Sequence, residues 1–281
     1  MNLRYNYDDN ITNANDDLPI ETSTSDTFYD LFGGISYKLP LNKTTSNIFK
    51  FGGYISRYDD AVDYDKTLLN IGLYHARLFH GIRSRVGVHG YRDKIGDIDY
   101  QQRITYQVRG DVLYSKAHKF RLQYDYTDIN ELDDAYIDFS GSRHRIKFEN
   151  QSKLPNKLRI NLGYKYETND RNDHRTPTSF TSYSPDRHSI YTKIKFSPAT
   201  RWKVRMNFEY RKSNYDGSIV SSVQQNDRED SRLRAKLSLA YRINKYTDLE
   251  TIYRYTDNDS NFTSKSYTSN RFSLALNLRY F

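Results

Sequence analysis

The sequence predicts an all-β fold: a closed antiparallel β-barrel of about fourteen strands with an apolar outer face, short turns at one end and long loops at the other. Three observations carry this reading. Period-two alternation recurs along nearly the whole chain, and period 3.6 almost nowhere. Connections alternate between short turns and longer polar loops. The 27 Tyr and 14 Phe of the 281 residues gather at strand ends.

Taken in order, Tyr5 and Tyr7 close an opening strand ahead of a polar loop at residues 8–25. Short turns fall at residues 40–44, 80–82, 115–119, 154–157, 198–201 and 244–247. Longer loops fall at residues 59–65, 94–99, 128–138, 169–186, 214–230 and 257–268. The strands between them number about fourteen, the even count this class requires, and both termini fall at the short-turn end. The clearest strand is 202–210, where Trp202, Val204, Met206, Phe208 and Tyr210 face one way and Lys203, Arg205, Asn207 and Glu209 the other. Residues 120–126, 158–166 and 233–241 repeat it. Residues 67–91 alternate less cleanly. Three hairpins open on a basic residue (Arg143, Arg187, Arg232) and close on an aromatic pair, which is the regularity of the architecture. No composition break divides the chain, so residues 1–281 are expected to form one barrel domain.

Composition agrees once the class is considered. A mean hydropathy of −0.90 would ordinarily suggest a soluble or disordered chain, but disordered chains lack aromatics. A barrel needs apolar residues only at alternate positions, so mean hydropathy is blind to it. No run of ~18 apolar residues offers a transmembrane helix. The absence of Cys excludes thiolate metal sites, Cys nucleophiles and disulfides. The net charge of +8 is spread along alternating strands rather than gathered in a tail, so a lumen wall explains it better than nucleic acid. Met1 runs straight into Asn-Leu-Arg-Tyr. We expect that an export leader was removed, or that the chain is the barrel of a longer protein.

Tyr124/Tyr126, Tyr164/Tyr166, Phe208/Tyr210 and Tyr253/Tyr255 end strands just before long loops. Tyrosine prefers the membrane–water interface, so these are expected to form an outer aromatic girdle, with Tyr37, Phe120, Phe196, Trp202 and Tyr241 in an inner one. The polar face carries Arg143, Arg145, Lys147, Lys193, Lys195, Lys203, Arg205, Arg232, Arg234 and Lys236 against fewer carboxylates: Glu149, Glu209, Glu250, Asp111 and Asp125. Basic rings favour anions in pores, although polar interiors are also the rule for barrels. Acidic loop ends such as Asp16-Asp17, Asp59-Asp60 and Asp133-Asp134 could suit calcium, but no full EF-hand loop is present and turn formation explains them better. Seven His occur without a Gly-x-Ser-x-Gly, His-Glu-x-x-His or phosphate-loop motif, so neither an enzyme nor a cofactor is expected.

The last strand ends Phe272, Leu274, Leu276, Leu278 and Tyr280 on one face, followed by Phe281. This resembles the C-terminal assembly signature of Gram-negative outer-membrane proteins, although Phe281 stands one step off the apolar face. The resemblance implies the barrel-assembly machinery as a partner and a bacterial outer membrane, with its lipid and lipopolysaccharide, as the location. The segment from Tyr5 to Ala14 and the closing set of Asp259, Asn261, Tyr267, Asn270, Arg271 and Phe281 resemble the barrel of surface lipoprotein assembly modifiers. They equally resemble uncharacterised proteobacterial barrels, some near exopolysaccharide-export systems. The first of these implies a roughly fourteen-stranded barrel preceded by a helical repeat domain that this sequence lacks. The expected function is a conduit for surface delivery of a macromolecule, aided by a periplasmic partner. Alternatives are a passive porin-like channel preferring anions, or a closed barrel whose loops bind ligands.

Overall fold

The structure, a computed structural model, describes residues 1–11, 25–133, 138–175, 180–216, 219–221, 224–225 and 227–279. Fourteen strands close into one antiparallel barrel. In chain order they are β1 (Asn2–Asp8), β2 (Asp26–Pro40), β3 (Thr45–Tyr58), β4 (Lys66–Phe79), β5 (Ile82–Ile95), β6 (Ile98–Leu113) and β7 (His118–Glu131). Then come β8 (Gly141–Leu154), β9 (Leu158–Arg171), β10 (Asp186–Phe196), β11 (Trp202–Tyr215), β12 (Arg228–Arg242), β13 (Thr247–Ser260) and β14 (Tyr267–Leu278). Each strand pairs with its neighbours in sequence, and β1 closes the ring on β14 from Asn2↔Asn277 to Asp8↔Arg271. A closed ring leaves no edge and satisfies backbone polar groups strand to strand, as lipid demands.

The turns follow local chemistry. His80 and Gly81 both have positive φ, the two-residue turn whose twist suits a hairpin. Asn156 and Lys157 also sit in the left-handed region between β8 and β9. β1 begins and β14 ends at this short-turn end, where the Met1 amino group donates to the Leu278 carbonyl at 3.0 Å.

Several expected loops are strand instead. Most strands run 14 residues or more, longer than the ~9–11 that cross a membrane, so hairpins continue beyond it. β7 reaches Glu131, β9 reaches Arg171 and β13 reaches Ser260. The expected long loop at 94–99 is a tight turn: Ile95 pairs with Ile98, and Gly96 supplies φ +56°. The less regular stretch 67–91 forms the unbroken strands β4 and β5, paired from Lys66↔Ile95 to Phe79↔Ile82. Its alternation is blurred because glycines and His take lumen positions where other strands carry charge. Beyond the barrel, short strands at His174–Arg175, Phe180–Thr181, Ile219–Ser221 and Gln224–Gln225 make a small four-stranded sheet between two long loops. Short polar segments leave no periodic signal that could have foretold it.

Register fixes the faces, because paired residues share a side. Leu3, Ile35, Phe51, Ile71, Val108, Leu162, Ile190, Phe208, Leu237 and Leu274 stand exposed on the outer wall. Their alternates, including Asp8, Asp30, Asp125, Glu149 and Arg232, are buried toward the lumen. Trp202 and Tyr241 pair on the outside near a short turn, with ring centroids 4.9 Å apart. At the loop end, Tyr124 bonds the His144 ring at 2.8 Å and Tyr164 bonds His188 at 2.7 Å. Tyr126 and Tyr166 flank those same His rings. Tyr210 and Tyr253 hydrogen-bond Ser231 and Asn270. Tyr255, paired with Ala235, lies on the same outer face. Leu276 and Leu278 also face outward, whereas Tyr280, Phe281, Asp16, Asp17 and Asp134 lie outside the described residues.

Met206 sits mid-strand on the outer face between Ile194 and Leu237. Met206→Arg should cost ~2–4 kcal/mol of folding in lipid, whereas Lys203→Ala on the lumen side should cost little. Denaturant titration in vesicles measures both, and equal losses would mean that the faces are reversed.

Candidate functional site: the cationic lumen

Because barrel strands tilt by ~35–45°, a row of directly paired residues climbs the wall as a spiral. One such row reads Lys119, Gln151, Asn161, Lys193, Asn207 and Lys236. It continues through Arg254 and Arg271 to Asp8. It starts beside the short turn before β7 and ends at the loop end of β1. A second row beneath it reads Lys153, Arg159, Lys195 and Arg205, four cations on four successive strands. Strands lie ~4.8 Å apart, so each cation has like neighbours within a Debye length of ~8 Å.

The basic residues expected in the lumen all occupy lumen positions, but their carboxylate partners divide them. Arg145 meets Asp125 at 2.7 Å and Lys147 meets Glu149 at 3.3 Å. Arg205 bonds Glu250 at 2.7 Å, and Lys203 approaches Asp248 at 3.4 Å. The expectation that few carboxylates offset the patch is therefore corrected for these four. Stagger brings β13 carboxylates against β11, and Asp248 carried no signal in the sequence. Arg143 faces the lumen opposite Asn169 and Thr127. Arg232 and Arg234 face it from β12, paired with Arg211 and Glu209. Among the described residues, no hydrogen bond or ion pair reaches Lys193, Lys195, Lys236 or Arg254. Lys193 instead lies 4.7 Å from the centroid of the Tyr191 ring. Lys119 and Lys153 were not singled out in sequence, and Arg271 only as part of the closing motif, because only the register shows which strands continue a row.

Carboxylates concentrate elsewhere. Asp111 receives Arg121 at 2.7 Å and also Arg109, and Arg121 reaches on to Glu149 at 3.0 Å. Tyr191 crosses from β10 to donate to Glu149 at 2.9 Å. Its ring lies over Gly163 of β9, where any Cβ would collide with it. Glycine is therefore required there by close approach, not by backbone angle. The acidic loop ends serve as anchors: Asp26 accepts from the Asp60 and Ala61 amides, and Asp9 from the Asn270 amide. Among the described residues no three His, Asp or Glu converge as metal ligands. His144 and His188 lie on the outer wall, while His89 faces the lumen and bonds Tyr74 at 2.6 Å.

The model of the family described as "Putative beta-barrel porin 2" matches residues 199–280, which include β11 to β14. That stretch is under a third of the chain, and its description is of a porin rather than of a surface lipoprotein assembly modifier. No curated protein matches the sequence. Among solved structures, a loop-L8 deletion mutant of OmpT, an outer membrane protein of Vibrio cholerae, is similar with TM-score 0.52 at 10% identity, covering 99% of this chain and 96% of that one. OccAB3 of Acinetobacter baumannii is similar with TM-score 0.51 at 12% identity, covering 99% of this chain and 97% of that one. At these identities the likeness establishes the fold, that of the outer-membrane β-barrels.

Gly163→Ala should push Tyr191 off Glu149 and destabilise the barrel by ~1–3 kcal/mol, the cost of disturbing a buried hydrogen-bonded group. Gly110→Ala, where a Cβ meets open space, should change stability by less than ~0.5 kcal/mol. Urea midpoints of the two variants in vesicles test the contrast, and matching midpoints would contradict it.

Proposed function

We propose that this chain is a passive conduit of the bacterial outer membrane that prefers anions. The observation that carries this reading is the spiral of Lys193, Lys236, Arg254 and Arg271, in which, among the described residues, only the last has a carboxylate partner, Asp8. Lumen cations without counter-charges lower the energy of a passing anion and raise that of a cation. The porin description of the family matching residues 199–280 supports the same use. Delivery of an acidic macromolecule would exploit the same wall. The cavity at the loop end, about 310 Å³, is of small-molecule size and favours solutes over a lipoprotein. Outer-membrane lipid and lipopolysaccharide would cover the apolar wall, and the barrel-assembly machinery would insert it.

The test is a reversal potential across a KCl gradient in a planar bilayer. The wild type should favour chloride, and the combined variant Lys193→Glu, Lys236→Glu and Arg254→Glu should favour potassium. Folding is checked by faster migration on an unheated gel than after boiling. A folded triple variant with the wild-type potential, or a wild type with no conductance, would overturn the reading.

A further inference from the structure

The spiral ends in a cavity whose lining differs from the rest of the lumen. One side is β12–β14, with Arg234, Arg254, Thr256, Ser269 and Arg271. The facing side is β3 and β4, with Tyr54, Ser56, Tyr58 and Lys66. These walls lie close around the ring of fourteen strands, with only β1 and β2 between β14 and β3. Tyr64 reaches in from the short 3-10 turn Val62–Tyr64 in the loop joining β3 to β4. The loop is fastened: the Asp65 carboxylate accepts the Tyr58 amide at 2.8 Å, and the Asp65 carbonyl accepts the Gly96 amide at 2.7 Å.

Charge in this cavity is unevenly committed. Arg271 is held by Asp8 through two contacts of 2.7 and 2.5 Å and lies 5.0 Å from the centroid of the Phe28 ring. Arg254 stands directly between Lys236 and Arg271 in the register. It has no hydrogen bond or ion pair with any described residue. A guanidinium between two cations, with its donors open to a cavity, is suited to a bidentate carboxylate. The ring surface is ready as well. Tyr58 is stacked on Phe28 at 4.5 Å and meets Tyr64 edge-on at 6.3 Å. Tyr54 donates its hydroxyl to Asp30 at 2.6 Å, which fixes that ring.

From this geometry we infer that the cavity binds a carboxylate carried on a hydroxylated ring, the chemistry of a sugar acid. The carboxylate lies on Arg254, the ring lies against the tyrosines, and its hydroxyls meet Thr256, Ser269 and the tyrosine hydroxyls. At about 310 Å³ the cavity lies at the small end of ligand pockets, ~300–1,000 Å³. The inference rests on the conduit reading only in that anions must enter the lumen.

The experiment is calorimetric titration of the detergent-folded chain with D-glucuronate, with glucose, acetate, benzoate and inorganic phosphate as comparators. Glucuronate should bind at least tenfold tighter than each comparator. Arg254→Gln should weaken it at least tenfold, and Tyr64→Ala, in a loop outside the barrel wall, several-fold. The site is overturned by absence of glucuronate binding, by acetate, benzoate or phosphate binding as tightly, or by unchanged affinity in folded Arg254→Gln. Anion-selective current without glucuronate binding overturns the site and leaves the conduit. Glucuronate binding without anion-selective current supports the site and overturns the conduit.

Discussion

Everything in this molecule depends on the backbone pairing that closes β1 onto β14. In lipid an unpaired amide or carbonyl costs several kcal/mol, so the ring has to close. Closing requires tilt, and tilt turns each paired row into a spiral. The register therefore does more than hold the wall together. It decides that Lys193, Lys236, Arg254 and Arg271 follow one another toward the loop end, although 78 residues separate the first from the last.

The same register sorts charge. On β6 to β8, Asp111, Asp125 and Glu149 lie among Arg109, Arg121, Arg145 and Lys147, and the ion pairs make a neutralised, interlocked wall. Tyr191 over Gly163 extends that network to β10. On β10 to β13 the carboxylates Asp248 and Glu250 reach Lys203 and Arg205 but stop short of the row above. One side of the lumen thus spends its charge on cohesion, and the other leaves cations facing water. That asymmetry turns a polar interior, common to all such barrels, into a candidate path for anions.

The fold was legible because each strand carries its own record of the two solvents. Trp202 to Tyr210 alternates without a fault, and the structure sets that strand with Phe208 outward and Glu209 inward. Turns with a chemical marker, such as His80-Gly81, were equally plain. Loop limits were not, because strands such as β13 continue beyond the membrane with polar residues on both faces, as in Asp257 to Ser260. The basic wall was legible as a set of residues but not as an order. Alternation tells which face Arg205 occupies, yet nothing near it in sequence says that Glu250 lies 2.7 Å away. In sequence Arg254 alternates with Tyr253 and Tyr255 like any other lumen cation. Its position between Lys236 and Arg271 is a property of stagger, which local patterning does not encode.

The central claim is that the spiral row carries a positive potential facing water. The chain has no Cys, so a single thiol can report on one point. Asn207 is a neutral member of the row, flanked in the register by Lys193 and Lys236. The measurement is the rate at which Asn207→Cys, folded in vesicles, reacts with an anionic and with a cationic thiosulfonate of equal size, at low and high salt. The account predicts that the anionic reagent reacts at least tenfold faster at low salt, that the advantage shrinks as salt screens it, and that Met206→Cys on the outer wall reacts with neither. Equal rates for the two reagents at Asn207→Cys, or a faster cationic one, would contradict it.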